Sequence, residues 1–429
     1  MQGYKDSGIE WIGSIPEEWN IGRMKYITDI IMGQSPESFQ IRDDEGRYLF
    51  MQGNSEFGDK YPKAYKYCDN PKKISRANDI LMSVRAPVGA LNISDVAYGI
   101  GRGLCSISAI NIDKNYLWFF LNKSKDDFQF FSNGSTFEAI TIESLANFPV
   151  LIPGREQQQI ADYLDEECKR IDRITEKVEK QIEILKEYKK SLIAETVTKG
   201  LNKNVKMKDS GVEWIGEVPE YWEIDKVKYI ASLYGRIGWQ GLTSNEYIEE
   251  GPYLITGVDF SKGTIDWNNC VHISEERWNQ ANKVKIKNGD LLITKDGTVG
   301  KVALVNNLIG KASLNSGVLL IDLNIEKNKK FLFWVLSSEV FWTWFNYKNS
   351  GNSTILHLYQ KDFDEFKYAM PSLKEQQQIA DFLDKKCSEI DLILSKKAKQ
   401  LDIIKEHKKS LIYEYVTGKK RVGGIENGD

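Results

Sequence analysis

The strongest constraint on this chain is residues 155–198, a 44-residue run with neither proline nor glycine, rich in Glu, Lys, Leu and Ile. Such residues lose little rotamer freedom in a helix. Ile171, Ile174, Val178, Leu185 and Leu192 fall at alternating steps of three and four, with Gln181 and Tyr188 at the vacant steps. That spacing predicts a seam along which one helix packs lengthwise on another. At 1.5 Å per residue the helix would reach roughly 60 Å, and Gly200 is placed to end it.

The run occurs twice. Residues 374–417 match it without gaps at an offset of 219, with 27 of 44 positions identical. The second seam is predicted to use Ile390, Ile393, Ile404 and Leu411, with Lys397 where the first copy has Val178. A partner helix therefore lies within the same chain, and a homodimer is not required.

A shorter block is also duplicated. Residues 5–27 (KDSGIEWIGSIPEEWNIGRMKYI) match 208–230 at 15 of 23 positions, offset 203. The order is thus entry block, variable region, long helix, twice over. The predicted organisation is a first domain over 1–154 (entry block 4–27), a central spacer helix over 155–200, a second domain over 201–373 (entry block 207–230), a second spacer helix over 374–419 and a tail over 420–429. Within the variable regions, short β-branched runs bounded by Gly and Asn read as strands, and aromatic-rich stretches at 116–131 and 330–345 read as helices. The fold class expected is α+β, with mixed sheets in two globules, two long antiparallel helices and an internal pseudo-two-fold. NDILMSVRAPVG at 78–89 lines up with GDLLITKDGTVG at 289–300, so the globules share a template whose loops have diverged.

Catalytic motifs are missing from the sequence. There is no GxxxxGK[ST], since GTVGK at 297–301 is too short. No two prolines are adjacent, so the [DNS]PP[YF] motif of amino-group methyltransferases is absent. GIGRG at 99–103 lacks the helix that should follow a cofactor-binding loop, and a turn beside a strand accounts for it better. The five cysteines are scattered and the three histidines have no ligand-like company, so no metal is expected. No stretch of 18 apolar residues exists, so no membrane contact is expected. The first residues lack the pattern of a secretory signal, and a cytoplasmic location is the expectation.

Taken together, GIEWIGSIPEEW, GVEWIGEVPEYW, the two EQQQIAD helix starts (156–162 and 375–381), the two KKSLI stretches (189–193 and 408–412) and GRIGWQGL at 235–242 make the chain resemble the specificity subunit of a Type I restriction–modification system. The resemblance covers essentially the whole chain. It implies two target recognition domains, each reading one half of a bipartite, asymmetric site in double-stranded DNA. It also implies docking of two methyltransferase (M) and two restriction (R) subunits. S-adenosylmethionine, ATP and Mg would be held by those partners, with no cofactor and no catalysis here. A stand-alone nuclease or methyltransferase would need motifs for which no chain is left. A purely structural coiled-coil scaffold would not need two divergent globules.

Base readout requires donors and acceptors on loops that reach a groove. By position on the shared template, the first domain offers Gln34, Ser35, Ser83, Arg85, Arg102, Ser135 and Thr136. The second offers Arg236, Trp239, Gln240, Thr294, Lys295, Asn315, Ser316, Ser353, Thr354 and His357. Each of these residue types serves equally well as a turn former or strand cap, and Trp239 equally as core. Lys plus Arg against Asp plus Glu is 13 to 15 in residues 28–154 and 15 to 15 in 231–373. Neither region is basic, which predicts a narrow cationic cleft and modest DNA affinity for the isolated chain.

Overall fold

The computed structural model describes residues 3–128, 139–236, 242–324, 327–350 and 356–423. Its contacts divide into two compact units. One comprises 1–179 together with 399–429, and the other comprises 180–398. Each unit takes a recognition domain and one stretch of each long helix.

The long helices are Gln157–Lys199 and Leu373–Val416. Within the first unit they run antiparallel, with Lys408 Nζ 2.6 Å from Asp172 and Lys405 Nζ 3.4 Å from Glu179. Within the second unit, Lys189 Nζ lies 2.6 Å from Asp391 and Lys397 Nζ donates to Gln181 at 2.8 Å. Lys189 and Lys408 are equivalent residues of the repeat, as are Asp172 and Asp391, so each unit carries the same ion pair.

The phase of the seam differs from the expected one. Ile171, Val178, Ile390 and Leu411 are buried, and Leu185, Leu192 and Ile404 are half-buried, as predicted. Ile174 and Ile393, however, are 42% and 43% exposed, and Tyr188 points to solvent. The inward stripe runs through Thr175, Ile182 and Lys189 on the first helix and Leu394, Leu401 and Lys408 on the second, one position further along. Both phases contain Ile171, Val178, Leu185 and Leu192. In the observed phase the lysine–aspartate pairs place Lys189 and Lys408 beside the neighbouring helix.

In the first unit a four-stranded antiparallel sheet is ordered Thr28–Met32, Leu104–Ala109, Ile80–Ser83, Leu91–Ile93. A second sheet places Tyr48–Met51 between Lys66–Cys68 and Tyr98–Ile100, the latter parallel to it. The helix Lys114–Lys123 is capped by Asp113, whose carboxylate accepts from the Tyr116 amide at 2.8 Å. Of the 116–131 predicted, the helix covers residues to Lys123, with Ser124 as its C-cap, and 129–131 lie outside the described residues.

The second unit repeats the plan. Its sheet is ordered Ala231–Tyr234, Val318–Leu323, Leu291–Thr294, Val302–Leu304. Ile248–Ile255 lies parallel to Ala312–Leu314, the counterpart of the parallel pair in the first unit. The helix expected at 330–345 is two helices, Lys329–Leu336 and Glu339–Asn349. Two serines break it: Ser337 Oγ donates back to the Phe333 carbonyl at 2.7 Å, and Ser338 Oγ accepts from the Val340 amide as a new cap.

The entry-block tryptophans seat each unit's core. Trp19 and Trp222 are fully buried. Trp11 stacks on Phe148 with centroids 5.8 Å apart, and Trp214 Nε1 donates to the Lys367 carbonyl at 3.0 Å. All four entry-block tryptophans therefore pack within their own unit.

Candidate nucleic-acid interface

In the first unit, loops from four strand ends meet at one end of the sheets. The Gln34 amide donates to the Ile100 carbonyl at 2.9 Å, and the Arg102 amide to Ser35 Oγ at 3.3 Å. Val84 N–H donates to the Gly103 carbonyl at 2.9 Å, and Ile140 N–H to the Val84 carbonyl at 3.0 Å. Gln34, Ser35, Arg85 and Arg102 are thereby gathered on one rim, with Gln34, Arg85 and Arg102 exposed.

The second unit closes the same ring. Asn315 N–H donates to the Ile255 carbonyl at 2.9 Å, Lys295 N–H to the Gly317 carbonyl at 2.8 Å, and Leu358 N–H to the Lys295 carbonyl at 2.9 Å. Lys295, Asn315, Ser316 and His357 sit on this rim. The His357 ring is paired through Nδ1 with Asp296 and lies 4.4 Å from the Tyr359 ring.

Three predicted residues do not face outward. Ser83 is 1% exposed; its hydroxyl donates to the Pro87 carbonyl at 2.6 Å and accepts from the Ala90 amide at 2.9 Å. Its counterpart Thr294 is also buried, donating to the Thr298 carbonyl and accepting from the Lys301 amide at 2.9 Å. Both hydroxyls are used up in closing the turn that Gly89 and Gly300 complete with φ near +80°. Arg236 is 4% exposed, with Nε donating to the Leu314 carbonyl at 2.6 Å and Nη2 to Ser313 Oγ at 2.9 Å. Burial, and next the neighbouring Arg277, lower its pKa. Buried and bonded inward, these three side chains hold the rim and do not reach a groove. Ser135, Thr136, Trp239, Gln240, Ser353 and Thr354 lie outside the described residues.

The prediction missed Gln52 and Asp296, both exposed rim residues. Each lies just after a strand, and Gly53 or Gly297 follows as a turn signal. Their rank among many polar loop residues emerges only from which loops meet. Among the described residues no group of His, Cys, Asp or Glu is arranged to hold a metal ion, and no helix is long and apolar enough to cross a membrane.

Two α+β units with the same ring of loops, each including a stretch of both long helices, define a duplicated two-unit class of protein. The family model for the Type I restriction modification DNA specificity domain matches residues 16–184 and 221–402, and this chain belongs to that family as a non-catalytic specificity subunit. It is 24% identical to the Type I restriction enzyme MjaVIII specificity subunit of Methanocaldococcus jannaschii, over 99% of each chain. It is 35% identical to the putative MjaX specificity subunit of the same organism, over 42% of this chain and 43% of that one. Among solved structures, it resembles a chain described under complex assembly and conformational transition of the type I R-M system. That match has a TM-score of 0.74 and 15% identity, over 95% of this chain and 99% of the other. The HsdS subunit of Thermoanaerobacter tengcongensis matches with a TM-score of 0.53 and 14% identity, over 97% and 100% of the two chains.

Proposed function

We propose that each unit reads one half of a bipartite, asymmetric target in double-stranded DNA. The observation that carries this reading is the ring of loops, built by the same backbone bonds in both units yet lined by different side chains. A shared scaffold with different donors and acceptors suits two different half-sites. The long helices set the gap between the half-sites; adding one helical turn to both, about 5.4 Å, shifts the gap by roughly one to two base pairs.

The helices also dock the M subunits, two copies to one chain, with two R subunits completing the complex. Each unit has an open cleft between the long helices and its own domain, of about 860 Å³ in the first and 700 Å³ in the second. Lys405, Lys408, Asp172 and Ile412 line the first, and their repeat counterparts Lys186, Lys189, Asp391 and Ile193 line the second. A duplicated cleft fits a partner that binds twice. S-adenosylmethionine, ATP and Mg belong to those partners.

Sequencing the methylome of a host that expresses the chain with its M subunit tests the reading. The expected result is one asymmetric motif of two parts with a fixed gap. A short continuous motif, or none, overturns it.

A further inference from the structure

The GIGRG run at 99–103 has a purpose that its sequence does not disclose. Gly33, Gly101 and Gly103 all have ordinary negative φ, so none is there for a left-handed turn. They are there for close approach. A Cβ on Gly101 would lie 2.5 Å from Gln52 Oε1 and 2.9 Å from its Cα, and one on Gly103 would lie 2.7 Å from the Gln52 carbonyl. A Cβ on Gly33 would collide with the Gly101 carbonyl and stand 2.8 Å from that of Leu104. The loop 101–103 is thus stripped of side chains against one residue, Gln52, just after Tyr48–Met51, and Gly33 in turn lets the next loop pack on Gly101.

The residue is also pinned. Gly101 N–H donates to the Met51 carbonyl at 2.7 Å and Gly103 N–H to the Gln52 carbonyl at 3.1 Å. Its side-chain Nε2 lies 2.6 Å from Ser35 Oγ as donor and its Oε1 lies 3.0 Å from the same hydroxyl as acceptor, and that oxygen also receives the Arg102 amide. The amide therefore stands in a set orientation at an open cleft of about 440 Å³, with Arg102 and Lys66 on the same wall. Gln52 and Arg102 are both exposed.

We propose that Gln52 and Arg102 are base-reading residues of the first unit, Gln52 for an adenine and Arg102 for a guanine of the same half-site. A glutamine amide held by one hydroxyl keeps a second Nε2 hydrogen and a second lone pair on Oε1, the donor–acceptor pair that adenine N7 and N6 require. The guanidinium fork matches guanine O6 and N7. A pre-set backbone and a tethered amide lower the ordering cost of binding. The second unit does not repeat the pair. Thr256 and Ser316 hold the equivalent places, and Thr256 Oγ1 turns inward to Asp259 at 2.9 Å.

This inference rests on the DNA-reading function proposed above. The test expresses the full chain and its Gln52→Glu and Arg102→Ala variants with the M subunit and sequences the methylomes. In the wild type, one half-site contains a guanine and an adenine. In Gln52→Glu the carboxylate accepts from cytosine N4, and preference at the adenine position moves toward cytosine. In Arg102→Ala the guanine position relaxes by about 5- to 150-fold. The other half-site is unchanged in both. Arg102 is an exposed side chain, so its variant keeps the test valid should Gln52→Glu fold poorly. A bipartite wild-type motif with unaltered preferences in the variants, or with changes in both halves, overturns this inference alone. A wild type without a bipartite motif overturns the parent reading and this one with it.

Discussion

The two units solve one problem in two ways. In each, the end of a long helix must be seated on an entry block. In the second unit the chain runs straight on from Lys199 through Gly200 to that block, and neutral donors finish the joint. Glu375 accepts from Trp222 Nε1 at 3.1 Å and from the Tyr221 hydroxyl at 3.1 Å. In the first unit the helix that arrives is the second one, more than 400 residues away from the entry block it meets. Tyr4 donates to the Gly418 carbonyl at 3.2 Å and Lys419 to that of Ser14 at 2.5 Å. Glu156, the repeat counterpart of Glu375, is taken by both Nε and Nη2 of Arg421, whose Nη1 reaches Glu18 at 2.6 Å. Glu18 stands where the second unit has Tyr221. The Trp19 indole N–H, counterpart of that of Trp222, has no hydrogen-bond partner among the described residues. The joint with no nearby covalent tether is closed by an arginine clamp on two carboxylates, whereas the tethered one is finished by neutral donors on one carboxylate.

The comparison breaks most visibly at the tryptophans. Trp19→Ala and Trp222→Ala each remove a fully buried indole, at a cost of about 3–5 kcal/mol. Hydrogen–deuterium exchange should show lost protection in the variant's own unit and little change in the other. Arg421→Ala comes next. Its side chain is 18% exposed and Glu156 is 24% exposed. Loss of these charge-assisted bonds costs about 1.5–3 kcal/mol. The damage is expected in the first unit alone, because the second has no such clamp.

Acid should act on the same joint. The backbone amide of Glu18, and next Arg421, hold the Glu18 carboxyl below its ordinary value of 4.5. A depressed folded pKa stabilises above the unfolded value, and the gain is lost as pH falls from about 4.5 through the folded one. Thermal melts of the wild type over that window should fall more steeply with pH than those of Arg421→Ala.

A smaller effect sharpens the contrast. Trp222→Phe removes a bond to a carboxylate, about 1.5 kcal/mol or more beyond the change in packing, whereas Trp19→Phe removes an N–H with no partner among the described residues. Equal losses in denaturant melts would contradict the account. The smallest effect is the symmetric one. Lys189→Ala and Lys408→Ala break equivalent, partly exposed ion pairs and should each cost about 0.5–1 kcal/mol, with matching values in the two units.

Much of this architecture was legible in residue order. The duplication, the two long helices and the shared globule template follow from local periodicity and self-similarity, which need no tertiary information, and the family from the resemblance that the repeated motifs carry. Local signals also named most of the described rim, because turn residues after apolar runs mark strand ends. They misplaced the seam by one position, reading Ile174 and Ile393 as inward, since apolar type alone does not report which face a neighbour occupies. They put Ser83, Thr294 and Arg236 on the surface, since a polar residue that closes a buried turn or ties down a carbonyl looks the same in sequence as one that faces solvent.

The sequence by itself determined that two similar modules alternate with two similar helices. Only the tertiary structure decided that one module is completed by the far end of the chain, that Lys189 and Lys408 fall on the seam, and that Gly101 and Gly103 close on Gln52. Each of those depends on contacts between residues far apart in the chain, where burial and hydrogen-bond geometry, and not local propensity, set the outcome.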